Sequence, residues 1–338
     1  MSEMTIEQVI INSSQQKPPP KKRRTPWWLP AVWDVIIAGI VLCTFALFHH
    51  VLPKAHQPAE PVDPPTSSQE NQTPNNPEDT SLGSKFKDKF TATPVSTETS
   101  YSSKNFAVFI EKRTLGEGKN LVTYYVADVY LRSIDCFQTA FAKDTYGSNI
   151  KENMIDIANR HHAVFAVSGD YYGMHANKSV IRNGKLYREK SGDEDVCVVY
   201  RDGSMRMITG GTFDASKEIE NDAWQAFSFG PSLLNGDGTP KTKFSGYLAQ
   251  AHPRCAIGYY EPGHYAFVLV DGRQENYSVG LTLKELAALF ESMGCTAAYN
   301  LDGGQTAMMA FNGTVVNRPY KNGRKVSDII FFGEVAEN

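Results

Sequence analysis

The chain has 338 residues, a net charge of −3 and an isoelectric point near 6.3. This balance argues against a nucleic-acid-binding protein, because such proteins usually carry a basic domain or a basic face. The strongest basic cluster, residues 21–24, directly precedes an apolar run. We therefore predict that it sets membrane orientation and that nucleic acid is not a partner.

Three segments precede the folded region. We predict a cytoplasmic tail at residues 1–26, a transmembrane helix at 27–50 and a disordered stalk, rich in proline and small polar residues, at 51–100. The apolar run approaches the roughly 20 residues that cross a bilayer. It lacks the small-residue cleavage site of a signal peptide, which favours a retained anchor. The positive-inside rule then predicts a single-pass cell-membrane protein with a cytoplasmic N-terminus and an extracellular domain.

From residue 101 to 338, short β-type runs alternate with turn signals. This pattern indicates an α+β domain of mostly antiparallel sheet with a few packed helices. Asn183-Gly184, Asp202-Gly203 and Asn312-Gly313 are typical of tight hairpins. The strands are predicted at 106–110, 121–131, 163–167, 196–200, 256–260, 265–270 and 326–332.

Two helices are predicted in this domain. The first covers 282–293, where Thr282 and Glu285 form a capping-box pattern and Gly294 is suited to end the helix. Apolar residues recur inside it at the spacing of one buried stripe. The second lies around 149–159.

Four cysteines lie in the part predicted to be exported, where disulfides persist: Cys136, Cys197, Cys255 and Cys295. No C-x-x-C spacing indicates a zinc site or thiol redox chemistry. The pattern leaves open either one or two bridges or four unpaired thiols in half-buried strands.

The segment AYNLDGGQTAMM is the densest in unusual residues. A short apolar strand leads into Asp302, followed at once by Gly303 and Gly304, which permit positive φ angles and a close approach to the backbone. With the Thr306 hydroxyl nearby, this arrangement suits the binding of a polar ligand. A plain turn between strands is the alternative interpretation.

Two further segments carry candidate residues. AVFAVSGDYY brings Asp170 and Tyr171 to the end of a predicted strand, and a carboxylate beside an aromatic ring suits a sugar. In HPRCAIGYY, Arg254 begins a strand and presents a planar guanidinium that can bind phosphate or carboxylate. A turn and an ordinary surface arginine are the respective alternatives.

Taken together, the motifs resemble the phosphodiester glycosidase family. They are AVSGDYYG, FSFGPSLL, HPRCAIGYY with LVDGR, GLTLKELAALFESMGCTAAYNLDGGQTAMM and the final GRKVS, in the family's order over residues 105–335. The resemblance implies hydrolysis of the bond between the anomeric carbon of a sugar and phosphate, with a phosphate-linked glycan as substrate. Two departures stand out: Gln305 replaces a family glycine, and Ser168 replaces an asparagine common in relatives.

The resemblance also suggests roles for residues. Because glycoside hydrolysis usually uses two carboxyl groups, Asp302 and Asp170 are the predicted catalytic pair. Arg254 and Arg324 are predicted to hold the phosphate, as arginine does through parallel hydrogen bonds. The binding residues are predicted to be Arg254, Arg324, Gly303, Gly304, Thr306 and Tyr171, with the glycine N–H groups adding to the anion site and Tyr171 forming a sugar platform.

No cofactor is predicted as a requirement. Asp170, Asp271 and Asp302 could supply oxygen ligands to a divalent cation, although no loop has metal-ligand spacing. Two other functions stay open at this stage: a non-enzymatic glycan-binding module and an accessory factor of exopolysaccharide assembly at the cell surface.

Overall fold

The computed structural model describes residues 26–56, 82–190, 192–244, 246 and 249–335. They divide into two compact units, the first ending at Leu52 and the second beginning at Pro53. Half of the predicted stalk, residues 57–81, lies outside the described residues, as does most of the predicted cytoplasmic tail.

The first unit contains one long apolar helix. Helix α1 spans Leu29–Ala46 and continues as a π-helical turn over Leu47–Val51. Proline stands in its first turn, where a missing backbone N–H costs no hydrogen bond. These 23 residues are long and apolar enough to cross a membrane. They coincide with the span predicted at 27–50; a helix of this kind serves either as an anchor or as a signal sequence.

A seven-stranded antiparallel sheet is the largest layer of the second unit. In spatial order its strands are β16 (Ala297–Leu301), β14 (Arg254–Glu261), β15 (His264–Val270), β5 (Val122–Leu131), β4 (Phe106–Leu115), β3 (Ser100–Ser102) and β2 (Val95–Ser96). Because β2 lies before residue 101, the sheet includes the last part of the segment predicted as stalk.

Two five-stranded antiparallel sheets complete the domain, with a short two-stranded pair. One five-stranded sheet contains β18 (Thr314–Val315), β17 (Met309–Phe311), β8 (Phe165–Ser168), β19 (Asp328–Phe332) and β6 (Phe137–Phe141). The other contains β10 (Lys185–Arg188), β9 (Val180–Arg182), β13 (Ala223–Phe227), β11 (Val196–Tyr200) and β12 (Met205–Ile208). The pair consists of β1 (Lys54–Ala55) and β7 (Gly147–Ser148).

Three short helices pack on the outer faces of these sheets. They are α2 (Met154–Arg160), α3 (Ala215–Glu220) and α4 (Leu283–Ser292). Helix α4 has the predicted capping box, with Thr282 accepting from the Glu285 N–H and Glu285 accepting from the Thr282 N–H. Its apolar stripe is buried against the seven-stranded sheet. The inner faces of all three large sheets contribute to one central core rich in aromatic side chains.

The predicted fold class is confirmed. Every strand pair among the described residues is antiparallel, and each of the three predicted hairpins joins neighbouring strands. Asn183-Gly184 and Asn312-Gly313 both have positive φ angles at their two positions, as the tightest hairpin turns require. The helix predicted around 149–159 begins later, at Met154.

The four cysteines of the domain are buried and free, and they lie within the described residues. Of the two alternatives left open by the sequence, the structure therefore has unpaired thiols. Three of them, Cys136, Cys197 and Cys255, belong to the central core, and Cys295 packs against helix α4.

Candidate active site

The site forms where strands β8 and β16 end beside each other. Asp302 directly follows β16, and its backbone N–H donates to the carbonyl of Gly169 just beyond β8 at 3.2 Å. Its side chain is 8% exposed and lines a cavity of about 130 Å³. Asn300 lines the same cavity, since residues two apart on a strand point to the same face of the sheet.

The Asp302 carboxyl has an unusual protonation equilibrium. Burial raises its pKa from the ordinary value of 3.8 to about 6. The Thr306 hydroxyl and the positive charge of Arg324 act in the opposite direction, whereas the negative charge of Asp170 adds to the rise. Asp302 is therefore mostly ionised at neutral pH but within about one pH unit of protonation, which suits a group that exchanges a proton.

The two glycines after Asp302 are required by packing. A Cβ atom on Gly303 would lie 2.7 Å from the carbonyl oxygen of Pro253, which is too close for any side chain. Gly304 has a φ of +65° and donates its N–H to the same carbonyl at 2.8 Å, while the Gly303 N–H interacts with the Asp302 carboxylate. Both N–H groups, which are predicted to bind an anion, therefore already have acceptors within the protein.

Arg254 and Arg273 both line the cavity, but their guanidinium groups differ in surroundings. Arg254 is buried and donates to the carbonyls of Leu281 at 3.0 Å and Gln250 at 2.6 Å. Arg273 lies against Gly304 and above the ring of Tyr320. Arg254 therefore braces the loop before β14, whereas Arg273 borders the space beside Asp302.

His252 contributes its imidazole to the cavity wall. Its Nδ1 lies 3.2 Å from Nη2 of Arg273. Because a guanidinium group only donates, Nδ1 is the acceptor in this contact. The structure thus adds Arg273 and His252 to the residues predicted from sequence; the former belongs to the LVDGR motif and the latter begins HPRCAIGYY.

Arg324 approaches Asp302 from the segment that precedes strand β19. Its Nη2 lies 3.7 Å from Oδ2 of Asp302, and 42% of its side chain is exposed. The guanidinium also lies over the ring of Tyr171, at 4.9 Å from the centroid, and Nζ of Lys151 lies 5.1 Å from the same centroid. Tyr171 therefore contacts Arg324 through its ring face, and the sugar platform predicted for it stays a prediction.

Asp170 is not in the cavity wall, and its carboxylate is fully engaged. Oδ1 accepts from Arg182 at 2.6 Å and from the Tyr172 N–H at 3.1 Å, while Oδ2 accepts from the Ser228 N–H at 3.0 Å. Arg182 also donates to Asp328 at 3.0 Å, and all three charged side chains are buried. The structure thus separates the predicted catalytic pair: Asp302 faces the cavity, whereas Asp170 belongs to a buried ion cluster with Arg182 and Asp328.

Thr306 and its neighbour Gln305 hold the loop together. The Thr306 hydroxyl is buried and donates to the Gly303 carbonyl at 2.7 Å, and the Thr306 carbonyl accepts a hydrogen bond from Ser168. Gln305 donates to the carbonyl of Gly323, the residue before Arg324, at 2.9 Å. Both departures from the family pattern, Ser168 and Gln305, therefore bond the Asp302 loop to neighbouring segments.

The three aspartates considered as cation ligands do not converge. Asp271 accepts from Asn317, from the Arg318 N–H and from Tyr277, and burial raises its pKa. Within the described ranges, no group of three or more histidine, cysteine, aspartate or glutamate side chains could hold a metal ion.

Two polar and aromatic residues of the cavity wall were not singled out from sequence. Asn300 donates its Nδ2 to the carbonyl of Gly230 at 2.9 Å, and its buried Oδ1 has no hydrogen-bond partner among the described residues. Phe229, from the FSFGPSLL motif, lines the cavity from the other side. Both lie within motifs quoted from the sequence, but nothing in the sequence distinguishes either residue from its neighbours in the motif.

Comparison with known proteins gives two specific likenesses. A protein of Bacillus subtilis (strain 168), the SPbeta prophage-derived uncharacterized protein YomE, is 30% identical over 219 residues, which cover 62% of this chain and 33% of that protein. The chain thus spans about a third of the length of this relative. The catalytic domain of zebrafish N-acetylglucosamine-1-phosphodiester alpha-N-acetylglucosaminidase, solved in a form auto-inhibited by its pro-peptide, superposes with a TM-score of 0.55 at 18% identity. That likeness covers 68% of this chain and 84% of the zebrafish domain, and it shows a shared fold.

Comparison with family models agrees with both of these likenesses. Residues 161–333, just over half of the chain, match the model of the phosphodiester glycosidase family. The matched range begins before Asp170 and ends after Arg324, so it contains the whole cavity wall together with the buried ion cluster. The chain therefore belongs to the phosphodiester glycosidase family.

Proposed function

We propose that the protein is a hydrolase that cleaves the bond between the anomeric carbon of a sugar and the phosphate oxygen of a sugar-1-phosphodiester. The observation that carries the proposal is a single ionisable carboxyl group, Asp302, in a small cavity bordered by guanidinium groups. Membership of the family supports the same reaction class. The zebrafish relative suggests N-acetylglucosamine as the first sugar to test.

In this proposal the phosphate is bound by Arg273 and Arg324. Both guanidinium groups are close to Asp302 or to its glycine turn, and Arg324 is partly exposed and thus accessible to an entering anion. Arg254, which was predicted for this role, supports the site from behind through its bonds to backbone carbonyls. Two cations beside one carboxylate also favour binding of a phosphodiester over a neutral glycoside.

Asp302 acts in its ionised form. It takes a proton from a water molecule as the water oxygen attacks the anomeric carbon; the bond from that carbon to the phosphate oxygen breaks, and its electron pair stays on the phosphate. The leaving phosphate monoester is stabilised by the two arginines and needs no proton at that moment. One carboxyl group therefore suffices, and the proposed step uses no cofactor.

A single displacement of this kind inverts the configuration at the anomeric carbon. With an α-linked substrate, we expect the first product seen by proton NMR to be the β-anomer, before mutarotation. An initial α-anomer would show a double displacement and would contradict the proposed role of Asp302 as a base.

The reaction itself is tested by turnover of the full-length chain in detergent. The substrates are α-linked sugar-1-phosphodiesters, with N-acetylglucosamine first, beside the matching methyl glycosides. We expect release of sugar from phosphodiesters only, and a loss of about 10²–10⁴-fold in kcat for Asp302→Asn, whose amide cannot take the proton. A folded parent protein that binds the sugars but releases none would instead favour a glycan-binding module.

We further propose that the reaction takes place outside the cell, near the membrane. The apolar helix over Leu29–Val51 supports a retained anchor, and the basic residues at 21–24 support a cytoplasmic N-terminus. A cell-surface glycan joined through phosphate is then the substrate within reach.

A further inference from the structure

A second and larger depression adjoins the cavity at Asp302. This groove has a volume of about 470 Å³ and is lined by His175, Lys178, Glu194, Phe229, Lys243 and Phe244, among others. Phe229 lines the cavity as well, so the two spaces share a wall. Asn300, in the cavity, is bonded to the carbonyl of Gly230, which lines the groove.

The two volumes differ in what they can hold. Sites for small organic ligands usually measure about 300–1,000 Å³. The cavity of about 130 Å³ falls well below this range, whereas the groove of about 470 Å³ lies within it. The cavity can therefore take the reacting phosphate and the anomeric carbon, and the remainder of the substrate must extend into a neighbouring space.

Aromatic rings connect the arginine side of the site to the groove. Tyr171, which holds Arg324, lies 6.1 Å from the His175 ring, and His175 lies 6.0 Å from Phe229, both in edge-to-face arrangements. An aromatic ring next to hydrogen-bonding groups is the combination that binds a pyranose, since the C–H face of the sugar packs on the ring while its hydroxyl groups find polar partners. Phe229 and Phe244 supply such rings in the groove.

Lys178 and Glu194 balance each other's charge in the groove, and Lys243 is a further, exposed cation of its wall. Lys178 has only 8% of its side chain exposed, and its Nζ lies 3.5 Å from Glu194 and 3.3 Å from the Phe229 carbonyl. Its positive charge is thus balanced within the protein. Burial and the nearby Lys178 lower the pKa of His175, so this imidazole is neutral at pH 7 and offers one donor and one acceptor.

We propose that this groove binds the sugar ring of the phosphodiester, while the cavity at Asp302 holds its phosphate and anomeric carbon. The inference rests on the proposed function for the identity of the substrate. It adds a binding site for the sugar on residues that none of the family motifs singled out, chiefly Phe244, Lys243 and Lys178.

Binding measured separately for the two halves of the substrate tests the proposal. The probes are the methyl α-glycosides of N-acetylglucosamine, glucose, galactose and mannose, and inorganic phosphate, titrated by calorimetry into the full-length chain in detergent. We expect Phe244→Ala to raise the Kd of the bound glycoside about tenfold, the scale of one lost aromatic contact. The Kd of phosphate should stay within twofold. Arg324→Gln should give the reverse pattern.

Matched variants keep the outcome interpretable. Phe244→Trp retains an aromatic face and should retain glycoside binding, and Phe109→Ala removes an exposed ring outside the groove and should change neither Kd. Lys243→Ala tests the groove at an exposed position that is tolerant of substitution. The proposal is overturned if no glycoside binds, if the groove variants leave glycoside binding unchanged, or if they weaken phosphate binding instead.

These outcomes are separate from those for the reaction. Suppose that the parent chain hydrolyses no phosphodiester, while Phe244→Ala weakens only glycoside binding and Arg324→Gln weakens only phosphate binding. The sugar site then stands and the proposed hydrolysis fails. If phosphodiesters are hydrolysed while Phe244→Ala binds glycosides normally, the hydrolysis stands and the sugar lies elsewhere.

Discussion

At the scale of single residues, Asp302 dominates the chemistry of the site because it is a nearly buried carboxyl group, 3.7 Å from the partly exposed guanidinium of Arg324. Burial destabilises its ionised form more than Arg324 stabilises it, and the result is a pKa of about 6. Both the proposed reaction and the stability of the fold should respond to this value.

The first prediction concerns the pH dependence of activity. Since Asp302 acts in its ionised form, kcat/KM should fall as the pH drops through about 6 and should be level above it. The Arg324 charge lowers the Asp302 pKa, so Arg324→Gln should move this limb to higher pH while also raising KM. A profile that is flat between pH 5 and 8 in the parent would contradict the assignment.

The second prediction concerns stability. The folded-state pKa of Asp302 is raised, so the folded protein binds this proton more tightly than the unfolded chain does. The resulting loss of stability begins as the pH rises above about 4, the ordinary pKa, and is complete above about 6. Asp302→Asn should therefore be more stable than the parent at pH 8, by on the order of 3 kcal/mol, and should lose this advantage near pH 4. Thermal unfolding at the two pH values checks it.

At the scale of elements, strands β8, β9 and β19 meet through one buried ion cluster. Arg182, at the end of β9, bonds both Asp170, after β8, and Asp328, at the start of β19. Burial raises the pKa of Asp328 to about 7, although the charge of Arg182 opposes the rise. The cluster joins two of the large sheets, and Asp170 lies next to Gly169, whose carbonyl accepts from the Asp302 N–H.

The third prediction follows from this cluster. Arg182→Met leaves two buried carboxyl groups without their cation, and the free energy of unfolding should fall by about 3–5 kcal/mol. Urea unfolding followed by the fluorescence of the buried Trp224 measures it. The control is Arg113→Met, which removes an exposed ion pair with Glu111 and should cost less than about 1 kcal/mol. Equal losses in the two variants would show that the cluster contributes no more than a surface pair.

The sequence correctly predicted those turns and helix ends that are determined by residues close together in the chain. The hairpin at Asn183-Gly184 and the cap of α4 depend on neighbouring residues, and both are confirmed. The separation of Asp170 from Asp302 depends instead on Arg182 and Asp328, which approach only when distant strands pair. Both aspartates follow a buried strand and precede or follow a glycine, so no local pattern distinguishes the cavity residue from the buried one.

The glycines of the site illustrate the same limit. That Gly303 and Gly304 allow a close approach of another group could be predicted from their lack of a side chain. The approaching groups, the Pro253 carbonyl and the Arg273 guanidinium, could not be predicted, because they belong to two separate segments, one before β14 and one after β15. A tertiary contact of this range has no local sequence signature.

At the scale of the whole molecule, an apolar helix near the N-terminus and a family domain occur in one chain. The α+β fold class and the family were predicted from sequence and are confirmed, while the retained anchor and its orientation stay predictions. Structured segments before residue 101 mean that a truncation at that position would remove strand β2. Experiments on the domain are for this reason better made with the full chain.

The free cysteines give this chain a built-in reporter of its membrane state. Burial raises the pKa of the thiols of Cys136, Cys197, Cys255 and Cys295, so all four should resist maleimide in the folded protein. Cys43, on α1, is exposed, and it lies in the middle of the apolar span.

We expect no labelling of intact cells by a charged maleimide if the helix is embedded, and one label per chain after extraction that frees the helix. If the helix has been cleaved off, the extracted folded protein should take no label, and only four thiols per chain should react after unfolding. The unmodified sequence thus distinguishes an anchor from a signal peptide without any engineered tag.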